Sequence, residues 1–489
     1  MLKFKQGVKF RVSTTNREVF RSEEHFLVGS ESPFGVKDAV KGLKSYQSVK
    51  ALIMPEAINQ FNLPVDQLPR RWYNLAADLP EPLPPPQDPK DGPSRLQMLP
   101  KFLLKSVLEQ ENSTERWIDI PKGIRELYIQ AGRPRPLMRA LRLEKALKLP
   151  KNIRLYYKRE DLSPTGSHKV NTALAQTYYA AKEGYEEVTT ETGAGQWGSA
   201  LSYAASLNDL KCRVFWVRAA YRWKPGRRTL MNLFGADVFA SPSKETNFGR
   251  KLLKENPQHV GSLGIAISEG IEDALNREGS IYCLGSVLSH VLLHQTVIGL
   301  ETIEQFKIAE DDPTLLVGCF GGGSNFGGFS LPFIGEVLQG KRECNFLAAQ
   351  SEASPNLVKG KYIYDHGDHA GLTPLLKMYS LGHDIEMPEI WAEGIRYSAA
   401  APIMSMVRKL GMLDAVAYPV DEVYVYSQAR RFIQTEGFIP APESSYAVCA
   451  AIDKALEYKE KGKDAVIGFN VSGHGFLDMQ AFAKPLKLE

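Results

Sequence analysis

Lys169 stands in the run Gly166-Ser167-His168-Lys169-Val170-Asn171, directly ahead of a helix-forming stretch that reaches Lys182. A lysine held at the start of a helix sees exposed backbone N–H groups and the positive end of the helix dipole. That setting suits an amine that forms a Schiff base close to a phosphate. Taken alone, such a lysine would read as an ordinary residue of a surface loop. Two further motifs decide against the plainer reading: a glycine-rich loop at Gly321 and a serine in the late turn Ser472-Gly473-His474-Gly475.

The loop Gly321-Gly322-Gly323-Ser324-Asn325 follows the apolar run Leu315 to Phe320. Glycines let consecutive N–H groups approach an anion, and Ser324 and Asn325 can add side-chain bonds. The loop is neither a GxGxxG dinucleotide fingerprint nor a P-loop, since it has no lysine. Alone, it would pass equally well for a tight turn; with Lys169 in the same chain it reads as a phosphate site. Glu191-Thr192-Gly193-Ala194-Gly195-Gln196-Trp197 also follows a strand-like run. Its small residues leave backbone donors open to a substrate carboxylate. Glu191 is the one acid in a nearly uncharged turn, where burial would raise its pKa towards useful acid–base values; the competing reading is a helix cap. Ser472 offers a neutral hydroxyl, which would not hold a pyridine nitrogen protonated as a carboxylate does. That favours β-elimination and replacement over transamination. Glu443, in Pro442-Glu443-Ser444, either lines the same pocket or caps a helix, and the pocket is preferred. Together these features imply an enzyme of pyridoxal 5'-phosphate.

The motifs need a scaffold that gathers strand ends. Ile153 to Tyr157, Glu187 to Thr190, Cys212 to Arg218, Leu315 to Phe320 and Ala465 to Val471 read as strands. Between them, Val170 to Lys182 and Ser199 to Asn208 read as helices. Strands alternating with helices predict parallel sheets covered on both faces, with ligands at the carboxyl ends of the strands. Every motif above falls at such an end. The run from Leu79 to Pro89 carries six prolines and reads as an extended linker, with Arg71-Trp72-Tyr73 placed to pin it to the body.

With 489 residues the chain exceeds one simple core. The expected division is a 1–50 extension, a smaller α/β domain within 51–290 and a larger one at 291–489, with about 136–168 packing in the latter. A net charge of +4 gives no cause to expect nucleic acid or a membrane as partner. Five scattered cysteines read as reduced thiols of a cytoplasmic protein. No apolar run is long enough to span a bilayer. The N-terminus lacks a secretory core, and its acids speak against a transit peptide. His290 and His294 have the i, i+4 spacing of a zinc pair, but Val291, Leu292 and Leu293 between them read as core. His366 and His369 fall in a polar loop, and no metal is expected.

Read together, the motifs resemble the tryptophan synthase β chain, within the fold-type II pyridoxal phosphate enzymes. The likeness runs from about Arg71 to about Ala481 and includes Gly132-Arg133-Pro134 to Leu137, Gly166 to Lys169, Glu191 to Gln196, Gly321 to Asn325, Pro442 to Ser444 and Ser472 to Gly475. The proline-rich connector, Trp197 where the common form has His, and the run Ala370 to Tyr379 resemble the second type of β chain. The resemblance implies a two-domain α/β fold with parallel sheets flanked by helices. It implies that Lys169 carries the cofactor and moves the α-proton of serine, and that His168 and Gly321, Gly322, Gly323, Ser324 and Asn325 hold the phosphate. Glu191 would help expel the serine hydroxyl and then stabilise positive charge on indole as its C3 attacks. Thr192, Gly193, Ala194, Gly195 and Gln196 would hold the substrate carboxylate. Ser472 would meet the pyridine nitrogen, with Glu443 and Gln196 close to the cofactor. The implied reaction joins indole and L-serine into L-tryptophan and water, in a homodimer whose contact with an α chain is weak or transient.

Three departures stand out. Arg135 replaces the usual Thr of its segment, which is expected to alter packing or charge near the pocket mouth and could favour an anionic donor such as O-phosphoserine. The region expected to meet an α chain differs from the common form, and residues 1–50 have no counterpart. The competing readings are a phosphoserine-dependent β-replacement enzyme, a serine or threonine deaminase, and a non-catalytic pyridoxal phosphate-binding partner.

Overall fold

The strand Leu315–Cys319 reads Leu-Leu-Val-Gly-Cys with no polar alternation, the pattern of a strand buried on both faces. In the computed structural model it is central to a seven-stranded sheet, with Leu315 and Val317 in one apolar core and Leu316 in the other. The sheet runs Asp414–Tyr418, Asn345–Ser351, Leu315–Cys319, Ala465–Val471, Ile153–Arg159, Leu137–Arg139 and Gln60–Phe61. The first five strands are parallel to their neighbours, and the last two are antiparallel additions at one edge. A second sheet is wholly parallel, in the order Ala236–Ser241, Lys211–Val217, Glu187–Thr192 and Ser280–Tyr282. Parallel sheets flanked by helices are thus the architecture, with antiparallel edge strands that the sequence pattern did not indicate.

The structure describes residues 59–488 and, before them, the strands Val12–Thr14, Arg17–Ser22 and His25–Leu27, which pair antiparallel in that order. Residues 1–59 and 60–489 form separate units. The expected extension over 1–50 falls, apart from those strands, outside the described residues. No helix among the described residues is long and apolar enough to cross a membrane.

Two expectations about the first part of the chain need correction. The proline-rich run is more than a linker: Gln87 exchanges backbone hydrogen bonds with Leu375 (2.9 and 2.8 Å), and Pro86 lines the main pocket. Upstream, Trp72 is fully buried, 4.5 Å from the His294 ring, so the pin is real. Arg135 is not at the pocket mouth. It is 1% exposed, and its guanidinium bonds the Glu160 carboxylate and the carbonyl of Ala131. It belongs to a buried network in which Arg133 reaches both Glu160 (2.9 Å) and Glu301 (3.1 Å), and Lys158 reaches Glu301 (2.7 Å). A guanidinium so committed cannot recognise an anionic donor. The network ties the 133–135 segment to the end of strand Ile153–Arg159 and to helix Val297–Ile308, just upstream of Lys169.

Candidate active site

The strand Glu187–Thr192 ends on Glu191 and Thr192, and strand Leu315–Cys319 opens directly onto Gly321. Strand Ala465–Val471 delivers Ser472, and Lys169 is the N-cap of helix Val170–Lys182. These ends converge on one pocket, lined by His168, Lys169, Glu191, Thr192, Gly193, Ala194, Gln196, Gly321 to Asn325, Glu443 and Ser472. Among the residues expected here, Gly195 alone does not line it. It caps helix Gln196–Leu207 and is packed against Trp216 and Arg227. Segment Gly166–Lys169 docks on the turn at Ser472: the backbone N–H of His168 donates to Ser472 O at 2.8 Å, and that of His474 to Gly166 O at 3.0 Å. The sequence motifs 300 residues apart are therefore one structural unit.

The electrostatics follow from burial. Lys169 Nζ donates to Gly285 O at 3.0 Å, and burial lowers its pKa to about 8 despite the opposing pull of Glu191 and Glu443. Burial, together with the Lys169 charge, lowers His168 to about 3, so its imidazole is neutral. The ring lies between Ser324 Oγ (3.2 Å) and Ser472 O (3.4 Å). Burial raises the Glu191 carboxyl, as its lone position in the turn led one to expect. Glu443 accepts from Gly394 N at 2.8 Å and from Gln196 Nε2 at 2.9 Å, so it spans the pocket rather than capping its helix. Ser472 Oγ lies 2.8 Å from Ser444 Oγ and 3.5 Å from Cys319 Sγ, and no carboxylate among the described residues hydrogen-bonds it.

These residues suit pyridoxal phosphate. Gly323 has φ +109°, a left-handed conformation that turns the chain into helix Ser324–Leu338 and leaves that helix's first N–H groups facing the pocket. Ser324 adds a hydroxyl there, and the half-buried Lys169 amine, of lowered pKa, stands in the same cavity. Asn325 plays a different part from the one expected: its amide is spent on Asn470 (2.6 Å) and Cys319 O (3.3 Å), so its side chain braces the loop.

The histidines considered as metal ligands have other partners. His290 faces Glu111 at 3.0 Å, and His294 bonds Thr172 (3.0 Å) and Gln110 (2.8 Å). His366 bonds Thr373 O at 2.7 Å. Sequence reasoning passed over Tyr282, whose hydroxyl bonds Glu191, and the Gly285 carbonyl that receives Lys169. It also passed over an apolar wall that includes Leu99, Phe102, Ile267, Ile271 and Leu284. Tyr282 carried a signal, for it ends a short strand before a Gly-Ser turn like the other site strands. The wall carried none, because its members come from separate elements.

Fold and site together define a pyridoxal-phosphate-dependent enzyme, and the family described as "Pyridoxal-phosphate dependent enzyme" matches residues 128–473. An L-serine ammonia-lyase from Rhizomucor miehei shares the fold with TM-score 0.54 at 15% identity, over 72% of this chain and 97% of that one. A serine racemase from Dictyostelium discoideum does so with TM-score 0.51 at 18% identity, over 72% and 97%. Within this class the chain belongs to the tryptophan synthase β chain family. It is 50% identical over 430 residues to tryptophan synthase beta chain 2 of Methanothermobacter thermautotrophicus, covering 88% of this chain and 99% of the relative. It is 53% identical to tryptophan synthase beta chain 2 of Aeropyrum pernix, over 87% and 95%.

Proposed function

We propose that this chain condenses indole with L-serine to give L-tryptophan and water. The observation that carries the proposal is one cavity in which a half-buried amine, a buried carboxyl and an uncharged apolar wall meet. Bound pyridoxal phosphate would supply the electron sink that labilises the bonds of the amino acid's α-carbon. His168, the Gly321–Asn325 loop and the start of helix Ser324–Leu338 would hold its phosphate. Ser472 would face its ring nitrogen as a neutral partner, with Glu443 and Gln196 beside it.

The chain's own groups divide the remaining work. The Lys169 amine, with a pKa of about 8, can hold or release a proton near neutral pH and is placed to move the α-proton of serine. Thr192, Gly193, Ala194 and Gln196 hold the serine carboxylate at the head of helix Gln196–Leu207, whose cap Gly195 shapes the turn behind them. Glu191, raised by burial, gives a proton to the departing hydroxyl; as a carboxylate it then faces the positive charge that develops on indole. The apolar wall receives indole and excludes water, which suppresses loss of the carbon skeleton as pyruvate.

For this chemistry the body divides at about residue 290, with about 136–168 joining the second part. In support, Ile153–Arg159 pairs with Ala465–Val471. The reading extends to a homodimer with at most weak or transient contact to an α chain. It also extends to the cytoplasm, in keeping with five free cysteines.

The test supplies indole with L-serine or O-phospho-L-serine to the cofactor-loaded protein and quantifies tryptophan by chromatography. Efficient product from serine is expected. Product from phosphoserine alone would move the donor, and pyruvate without tryptophan from either donor would overturn the reading.

A further inference from the structure

Glu191 bonds a residue that the mechanism has not yet used. Tyr282 closes strand Ser280–Tyr282, beside Glu187–Thr192, and its hydroxyl lies against Glu191 Oε2. Thr190 Oγ1 is 3.3 Å from the same oxygen, but its single proton is drawn to Cys283 O at 2.5 Å, and it accepts from Trp197 Nε1 at 2.6 Å. Tyr282 is therefore the one committed side-chain donor to this carboxyl among the described residues, and no side chain there donates to Oε1. The Tyr282 ring cannot swing away: Phe102 stands 6.3 Å from it edge-on, and a Cβ on Gly270 would already lie 3.0 Å from its Cε2.

We propose that Tyr282 is a positioning residue for Glu191: its hydroxyl clamps Oε2, aims Oε1 at the β-carbon of the substrate and steadies the ionised carboxyl while indole attacks. This rests on the function proposed above and deepens it. Burial raises Tyr282 well above the ordinary phenol range, so it remains a donor throughout the working pH range. The other groups facing the pair are Lys169, Cys283, Asp368 and Tyr397. Asp368 is occupied by Ser268 Oγ (2.8 Å), Leu372 N (3.0 Å) and Thr373 Oγ1 (2.8 Å), and Tyr397 donates to Gly367 O at 2.7 Å. Neither competes for the Tyr282 proton. Lys169 opposes the effect of burial on Glu191 through its charge and hydrogen-bonds Gly285 O rather than Tyr282.

The experiment compares Tyr282→Phe with the native holoenzyme. The phenyl ring stays in the wall, so KM for indole should remain within about twofold, while kcat for tryptophan falls about 10–100-fold, as for loss of a bond to a charged group. The acidic limb of the kcat profile should move to higher pH. The protonated-carboxyl infrared band missing from Glu191→Gln should titrate with a higher midpoint in Tyr282→Phe, a readout that needs no turnover. Incorporating 3-fluorotyrosine at 282, which retains the packing and strengthens the donor, should move that midpoint down. An unmoved midpoint and limb, or a raised indole KM with unchanged kcat, would overturn the proposal. Absence of tryptophan from the native enzyme would instead count against the function proposed above.

Discussion

At the scale of single residues, the site works by taking charged groups out of water and then limiting what each can bond. Lys169 shows the consequence. Its pKa of about 8, lowered by burial from 10.5, means that the neutral amine predominates above about pH 8. Since a neutral amine is needed to capture the cofactor aldehyde, uptake of pyridoxal phosphate by apoprotein should accelerate with a midpoint near pH 8. Stopped-flow absorbance would report it, and a midpoint above 10 would mean an ordinary, solvated lysine. The buried ion network makes a second prediction. Arg133 bonds both Glu160 and Glu301, so Arg133→Met strands buried carboxylate and should cost about 3–5 kcal/mol. Arg135→Met leaves Arg133 and Lys158 to balance the same two carboxylates, and chemical denaturation should show a clearly smaller loss.

At the scale of elements, strands Glu187–Thr192, Leu315–Cys319 and Ala465–Val471 end at the pocket, and the glycine loop there is closely packed. A Cβ on Gly321 would lie 2.7 Å from Ile395 Cα and 3.0 Å from Gly394 O, both backbone atoms that cannot rotate away. Gly321→Ala should therefore cost about 1–3 kcal/mol of stability and weaken cofactor binding at least several-fold, measured by thermal melts and absorbance titration. Much of this layer was legible in the sequence. Strands such as Ala465–Val471 and the helix Val170–Lys182 have the bounds expected from apolar runs and glycine punctuation. The start of helix Gln196–Leu207 came three residues earlier than expected, because its cap is Gly195 within the motif. The antiparallel edge strands and the docking of Pro86 and Gln87 were not legible. They depend on tertiary partners such as Leu375 that local pattern cannot name. For the same reason Lys169, Glu191 and Ser472 could be picked out by their turns, whereas Arg135 was misplaced: a charge in a loop-like segment gives no sign of two carboxylates waiting in the core.

At the scale of the whole molecule, the parallel strands of two sheets present carboxyl ends to one pocket, and buried charge pairs brace the structure around it. Glu160, pulled below its ordinary 4.5 by Arg133, Arg135 and Lys158 against the cost of burial, and Asp478, pulled below 3.8 by Arg227 and Lys224 against the same cost, set the acid behaviour. A carboxylate whose folded pKa is depressed contributes stability above its unfolded value, lost as pH falls towards the folded one. Stability should thus hold above about pH 4.5 and decline progressively below it, a course that denaturant melts at stepped pH would trace. The central claim is that this architecture exists to hold a cofactor on Lys169 within reach of Glu191. Borohydride reduction of the holoenzyme followed by peptide mass mapping tests it most directly. The account predicts the reduced pyridoxyl mass on the peptide containing Lys169 and on no other lysine; its appearance elsewhere, or nowhere, would contradict it.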